Sequence, residues 1–223
     1  MTDINLASIE ISYKFSGDEL FEESTSITTI KASAKILDNK SDQLIDAGYV
    51  IMHRIEARDN NLLIEMDKNG EIYDFTELLD RDNYLKFNND VLEVLEDEYD
   101  EIESSYFLIF EKAEIKKEFR GQSLALKLIE ALIYEYGDEL YRCACLVAQP
   151  LQYKNDEDLS DTILAKEFNN LNESESRNKL FSHYGKIGFK RVKNSRFMVV
   201  DTTKYSFQFY KPHWYDHDIS QKN

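Results

Sequence analysis

The chain is poor in the residues that interrupt folded structure. Its 223 residues include 7 glycines and 2 prolines, so no Gly/Ser/Pro-rich linker divides it, and a disordered or fibrous class does not fit. Cysteine is scarce too: Cys143 and Cys145 are the only two. Two apart in a strand, they point the same way and are badly placed to bridge, which predicts two buried, reduced thiols. No apolar run approaches the roughly 20 residues of a membrane span. The start, Met1-Thr2-Asp3-Ile4-Asn5, lacks the basic and apolar regions of a signal peptide, so a cytoplasmic location is expected. Cations are also in deficit, with 27 Lys and Arg against 43 Asp and Glu and a net charge of −16. That argues against nucleic acid, which needs clustered Lys and Arg. It favours a cationic partner, although screening over about 8 Å means that the same charge also serves plain solubility.

What remains is a core-forming chain, 42% hydrophobic and long enough for one large domain. Ile9 to Phe15 alternates apolar and polar as a half-buried strand would, with Gly17 closing it. Ser26 to Leu37, rich in Ile and Thr, reads as a second strand. Asp46-Ala47-Gly48 signals a turn, Tyr49 to Ile55 a third strand, and Leu62 to Met66 a segment returning antiparallel after Asn60-Asn61, ended by Asn69-Gly70. From about Phe75 to Ile102 the apolar spacing is helical, through Leu78, Leu79, Leu85, Val91, Leu92, Leu95 and Tyr99. Asp90 to Glu103 carries eight acidic residues and no basic one, which suits a solvated helix face or a docking surface for a basic partner.

The stretch that organises the rest runs from Phe107 to Ala131. Tyr106-Phe107-Leu108-Ile109-Phe110 is an apolar strand. Beyond it Leu124, Leu128, Ile129, Leu132 and Ile133 share one helix face, and Gly137 is the helix stop. The loop between, Glu118-Phe119-Arg120-Gly121-Gln122-Ser123-Leu124-Ala125, therefore points a helix N-terminus, with its free N–H groups and positive dipole end, at whatever sits above it. A phosphate fits there. Further on, Cys143 to Ala148 reads as a central strand buried on both faces, closed by Gln149-Pro150. A helix is expected around Thr162 to Leu171, another over Asn178 to Ile187 stopped by Gly188, and two terminal strands over Phe189–Val192 and Phe197–Val200.

Two segments carry a family resemblance. Arg120-Gly121-Gln122-Ser123-Leu124-Ala125 resembles the R/Q-x-x-G-x-G/A loop of the GCN5-related N-acetyltransferase superfamily, and Phe181-Ser182-His183-Tyr184-Gly185-Lys186-Ile187-Gly188-Phe189 is similar to that superfamily's fYeklGF segment. The resemblance implies a single α/β (α+β) domain over residues 1–223, with a mixed, mostly antiparallel central sheet flanked by helices. The stretches near 75–102 and 151–176 would be helical insertions. It implies transfer of an acetyl group from acetyl-CoA to a primary amine, either a small amine or a peptide amine. Backbone amides of Gln122, Ser123, Leu124 and Ala125 would hold the diphosphate, Arg120 would add charge, Gly121 would make the tight turn, Phe119 would join them in binding the cofactor, and Ile115 would pair its main chain with the pantetheine. Ser123 stands where the family usually has Gly. With Gly121 available for the tight turn, Ser123 is expected in an ordinary conformation at the helix start, as a capping residue.

Tyr184 aligns with the family's Tyr near the thioester sulfur and is the candidate acid, against a plain core aromatic. For the base, the strand running into the loop offers Glu111 and Glu114. Glu111 and Ile115 share a face of a regular strand by even spacing, whereas Glu114 points the other way unless a bulge intervenes. Glu111 is therefore the candidate base, against a surface carboxylate. The expected partners are acetyl-CoA and an amine acceptor, with a homodimer left open and neither nucleic acid nor membrane involved. The alternative is a fold-sharing module that binds coenzyme A or a basic protein without catalysis. His53 and His183 read as isolated core or surface histidines, and His213-Trp214-Tyr215-Asp216-His217 lacks a second ligand cluster for a metal.

Overall fold

The computed structural model describes residues 6–16, 26–38, 42–57, 61–83, 85–96, 106–138, 140–149 and 172–209. Along these run β1 (Leu6–Ser16), β2 (Ser26–Asp38), β3 (Gln43–Glu56), α1 (Leu62–Lys68), a 3₁₀ turn (Tyr73–Leu78), α2 (Asn89–Leu95) and β4 (Tyr106–Ile115). They continue with a second 3₁₀ turn (Lys117–Phe119), α3 (Leu124–Tyr136), β5 (Cys143–Val147), α4 (Glu173–Gly185), β6 (Lys190–Arg191) and β7 (Phe197–Asp201). The strands form one sheet in the order β1-β2-β3-β4-β5-β7-β6. Only β4 and β5 are parallel, and every other pair is antiparallel. The parallel pair is the one bridged by a helix, because strands running the same way need a long crossover and α3 supplies it.

Alternation along the strands sends side chains to two cores. On one face Ile30, Ala32 and Ala34 of β2, Val50 and Met52 of β3, Leu108 and Phe110 of β4, and Ala144 and Leu146 of β5 pack with Leu124, Leu128, Ile129 and Leu132 of α3. On the other, Ile27, Ile55, Phe107, Ile109, Cys143 and Cys145 pack with Leu62 and Met66 of α1, Phe75 and Leu78 of the 3₁₀ turn, and Val91 and Leu95 of α2. Both thiols are buried and unbridged on the same face, as expected. Burial pushes both well above the ordinary thiol range.

A mixed α/β architecture with a mostly antiparallel sheet flanked by helices is thus present. Several local expectations are corrected. Leu62 to Met66 is not a returning strand but the body of α1. Its Leu, Glu, Met and Lys favour helix, and Leu62 and Met66, four apart, are both buried. Asp46-Ala47-Gly48 is not a turn but lies inside β3, where the pairing with β2 slips between Ala34↔Gly48 and Lys35↔Asp46. The helical span expected over 75–102 is broken: Leu79 bridges Phe87 across an irregular segment. There α2 begins only after Asn88, whose side chain accepts from the Val91 N–H at 3.0 Å. The acidic run beyond Glu96, the helix over 162–171, Gly17 and the 213–217 cluster lie outside the described residues.

The last helix starts earlier than its apolar spacing suggests. Asn172 and Glu175 form a reciprocal capping box, so α4 runs over Glu173–Gly185. Beyond β7 the chain is fastened to α3 by one buried carboxylate. Glu130, with 0% exposure, accepts from the N–H groups of Gln208 at 2.7 Å and Phe209 at 2.6 Å, and from the Tyr205 hydroxyl at 3.3 Å.

Gly48 is where the packing tolerates no side chain. Its φ is +146°, and a Cβ there would fall onto the Glu114 carbonyl oxygen and within 2.8 Å of the Ile115 Cα. Gly48→Ala is expected to lower stability by more than about 1 kcal/mol, through backbone strain and displacement of the end of β4. Urea denaturation checks this, with near-wild-type stability as the contrary result.

Candidate functional site

The sheet divides at its centre. β4 and β5 pair from Phe107↔Cys143 to Phe110↔Leu146. Beyond that point β4 stays with β3 as far as Gly48↔Ile115. β5 instead stays with β7 through Val147↔Phe197, followed by the Ala148 N–H on the Arg196 carbonyl at 2.9 Å. Residues 111–115 of β4 therefore extend past the parallel ladder. The loop 116–123 then turns back to start α3 beside them.

That loop is held by its own main chain and by Arg120. The Phe119 and Arg120 N–H groups close short turns on Lys116 and Lys117 carbonyls. The Arg120 Nε donates to the Ile115 carbonyl at 2.9 Å, so part of the guanidinium braces the strand end. Gly121 follows at φ +80°, and Ser123 at φ +57°. Ser123 is thus left-handed and makes no side-chain cap bond, contrary to the capping conformation expected for it. Both residues must turn because the chain reverses from β4 into α3 within a few residues, and two left-handed steps do this. The first bond within the helix runs from the Lys127 N–H to the Ser123 carbonyl at 3.0 Å. Ahead of it, the N–H groups of Leu124, Ala125 and Leu126 have no acceptor among the described residues. Gln122 and Ala125 are partly buried and Leu124 is buried, anchoring the helix start on the α3-side core.

The face-by-face placement of the carboxylates departs from even spacing. Between Ile51↔Lys112 and Met52↔Phe110 the ladder skips Glu111, a bulge of one residue. Ala113 and Ile115 therefore pack toward α3. Lys112 and Glu114 lie on the other face with Tyr49, and Glu111 lies there too, beside His53. The expectation that Glu111 and Ile115 share a face is corrected, and Glu114 joins Glu111.

On that face Glu111 meets a histidine that the sequence reading left isolated. The His53 Nε2 is 2.8 Å from the Glu111 Oε2, and their side chains are 5% and 8% exposed. The His53 Nδ1 is 3.1 Å from the Thr29 Oγ1. Three adjacent strands each give one member of this chain. The available signal was parity: His53 alternates with Ile51 and Ile55, and a polar group on an apolar face calls for a partner. Next to it, Lys31 and Lys112 sit over the Tyr49 ring at 4.2 and 5.6 Å, and the Tyr49 hydroxyl donates to Glu114 at 2.8 Å. Burial pushes the Glu114 carboxyl up, but hydrogen bonds from Tyr49 and Lys112 outweigh this and hold it below the usual carboxylate range.

Tyr184 sits on α4 and packs against the α3-side core, which includes Phe110, Leu124 and Leu146. Burial pushes its phenol up to about 12, so it stays protonated at neutral pH and can donate. His183 stacks edge-on to it at 5.4 Å, with burial and then Lys186 lowering that imidazole. Glu111 and Tyr184 thus approach the divided sheet from opposite faces. A separate cavity of about 410 Å³ between the ends of α2, α4 and β7 includes none of the sequence-predicted site residues. Two ion pairs lie along its lining, Lys190–Glu96 at 2.6 Å and Lys204–Asp201 at 3.6 Å.

Ser123→Gly separates the two conformations of the helix start. A left-handed Ser without a cap bond should give way to Gly with a gain of up to about 1 kcal/mol. Loss of a true cap would instead cost a few tenths, and urea denaturation reads the sign. No family model, curated protein or solved structure matches the chain, so the functional reading rests on the geometry of the 111–125 region and the residues around it.

Proposed function

We propose that this chain is an N-acetyltransferase of the GCN5-related kind, moving an acetyl group from acetyl-CoA to a primary amine. The observation that carries the reading is the parting of β4 from β5 beside an α3 N-terminus whose amides lack acceptors. A thioester with an extended pantetheine arm and a diphosphate matches both features. The arm would lie along residues 111–115 where the ladder has ended, and the diphosphate would take the N–H groups ahead of Lys127. Such contacts depend on backbone shape, so Ser123 in place of Gly is compatible with them: it holds the left-handed turn that the loop requires. Arg120 contributes by bracing Ile115 as much as by charge.

In this reading the amine reaches the thioester from the Glu111 face. Glu111 takes a proton from the ammonium, the nitrogen lone pair attacks the carbonyl carbon, and collapse of the tetrahedral adduct breaks the C–S bond. Tyr184, from the α3 side, gives the departing thiolate a proton and regains one from the adduct's nitrogen, and the proton taken by Glu111 leaves to solvent. In this reading, groups from both faces act on one carbonyl where the β4–β5 ladder has ended. The mixed Lys and Glu surface around Tyr49 borders the acceptor's approach.

Calorimetric titration with acetyl-CoA, together with thiol release from a panel of amines, tests the proposal. Gly121→Val, placing a β-branched residue at φ +80°, should lose most cofactor affinity, and Arg120→Ala should lose less. Tyr184→Phe should bind acetyl-CoA normally while kcat falls about 10²- to 10⁴-fold. Unchanged affinity in Gly121→Val refutes the placement, and binding without turnover of any amine converts the enzyme into a binding module.

A further inference from the structure

We propose that His53, held in one tautomer by Thr29, is the positioning residue that orients Glu111 and keeps it ionised for proton abstraction. This claim rests on the acetyl-transfer reading above and adds a member to the site that the loop and strand motifs do not contain.

A ring nitrogen and a carboxylate oxygen 2.8 Å apart must share a proton, because two lone pairs would repel at that distance. The side chains are 5% and 8% exposed, and a buried carboxylate without a donor is costly to keep charged. A donor to the charged form favours that form. The opposite ring nitrogen faces the Thr29 hydroxyl at 3.1 Å. With the proton on Nε2, the ring donates to Glu111 and its Nδ1 accepts from Thr29, so both contacts are satisfied by a neutral imidazole. With the proton on Nδ1, the Nε2 contact would need a protonated Glu111, which could not act as a base.

The strands set this order. Thr29 and His53 are direct partners in the β2–β3 ladder. Glu111 is the residue the β3–β4 ladder skips, between the partners of Ile51 and Met52. Among the described residues, Lys31 from β2, Tyr49 from β3, and Lys112 and Glu114 from β4 form their own cluster around the Tyr49 ring on this face, and Lys35 and Asp46 pair in the ladder farther along it, where Asp46 meets Lys116 at 3.3 Å. A carboxylate offers about four lone-pair positions, so the bond from His53 takes one of several. During transfer the acceptor's proton goes to the Glu111 carboxylate while His53 keeps its Nε2–H on Oε2. When the amide product leaves, that proton passes to water and the pair is restored.

Nitrogen-15 spectra of the histidine side chains, with His53 assigned by its loss in His53→Gln, read the tautomer directly in the full-length protein. The expected state is protonated Nε2 and bare Nδ1, a preference that weakens in Thr29→Val. With an amine that the wild type acetylates, His53→Leu should lower kcat on the order of tenfold to a hundredfold, as for other partners that orient a reacting group. Its KM for acetyl-CoA should be unchanged and the acidic limb of its pH–rate profile should move to higher pH. His53→Gln, whose amide can donate to the same oxygen, should recover much of the rate. A wild-type Nδ1–H tautomer, or a His53→Leu enzyme with wild-type kcat and pH profile, overturns the assignment. A wild type that binds no acetyl-CoA, or binds it and turns over no amine, removes instead the acetyl-transfer reading, and the role of His53 falls with it.

Discussion

One extra residue in β4 governs which groups meet in this protein. Because the ladder with β3 skips Glu111, the strand changes its parity there. Before the bulge, Phe107 and Ile109 face α1 and α2 while Leu108 and Phe110 face α3. After it, Ala113 and Ile115 take up the α3 side, and Lys112 and Glu114 the other. Both cores stay apolar, and the charged side chains of Lys112 and Glu114 gather with Tyr49 on one half-face. A bulge costs a ladder bond and increases local twist, here where β4 has already outrun β5.

The loop after β4 is shaped by backbone conformation more than by side chains. Left-handed Gly121 and Ser123 turn the chain sharply into α3, and Arg120 fastens the strand end through the Ile115 carbonyl. The result is a helix start whose first N–H groups have no acceptor among the described residues, while its first apolar residue, Leu124, is already in the core. Loop conformation and core packing are thus set by the same few residues, so a change at the turn is felt in both.

Two buried carboxylates elsewhere follow one rule: each has partners that outweigh the cost of leaving water. Glu130 anchors the chain after β7 with three donors. Asp201 is pushed up by burial, but bonds from Thr203 and Arg142 hold it below the ordinary carboxylate range. The contribution to stability from Asp201 is therefore full above the unfolded value and fades as pH falls through the folded one. His53 and Glu111 obey the same rule, each buried side chain facing the other at 2.8 Å.

Periodicity in the sequence was enough to locate β1 to β5 and β7, the apolar face of α3, the stop at Gly137 and the buried thiols, because each depends on neighbours in the chain. The strand, Gly-containing turn and helix around residues 106–136 were legible for the same reason: they are consecutive in the chain. Short segments were misread where contacts override local spacing, as when Leu62 and Met66 fold as a helix against the second core, or when Asp46 to Gly48 is drawn into a strand by β2 and β4. The left-handed Ser123 was hidden because a residue's φ follows from where the chain must go next, and Ser suits a cap equally well. The meeting of Thr29, His53 and Glu111 belongs to tertiary structure alone. It needs three strands in register and a one-residue slip, and neither leaves a mark on the order of the amino acids.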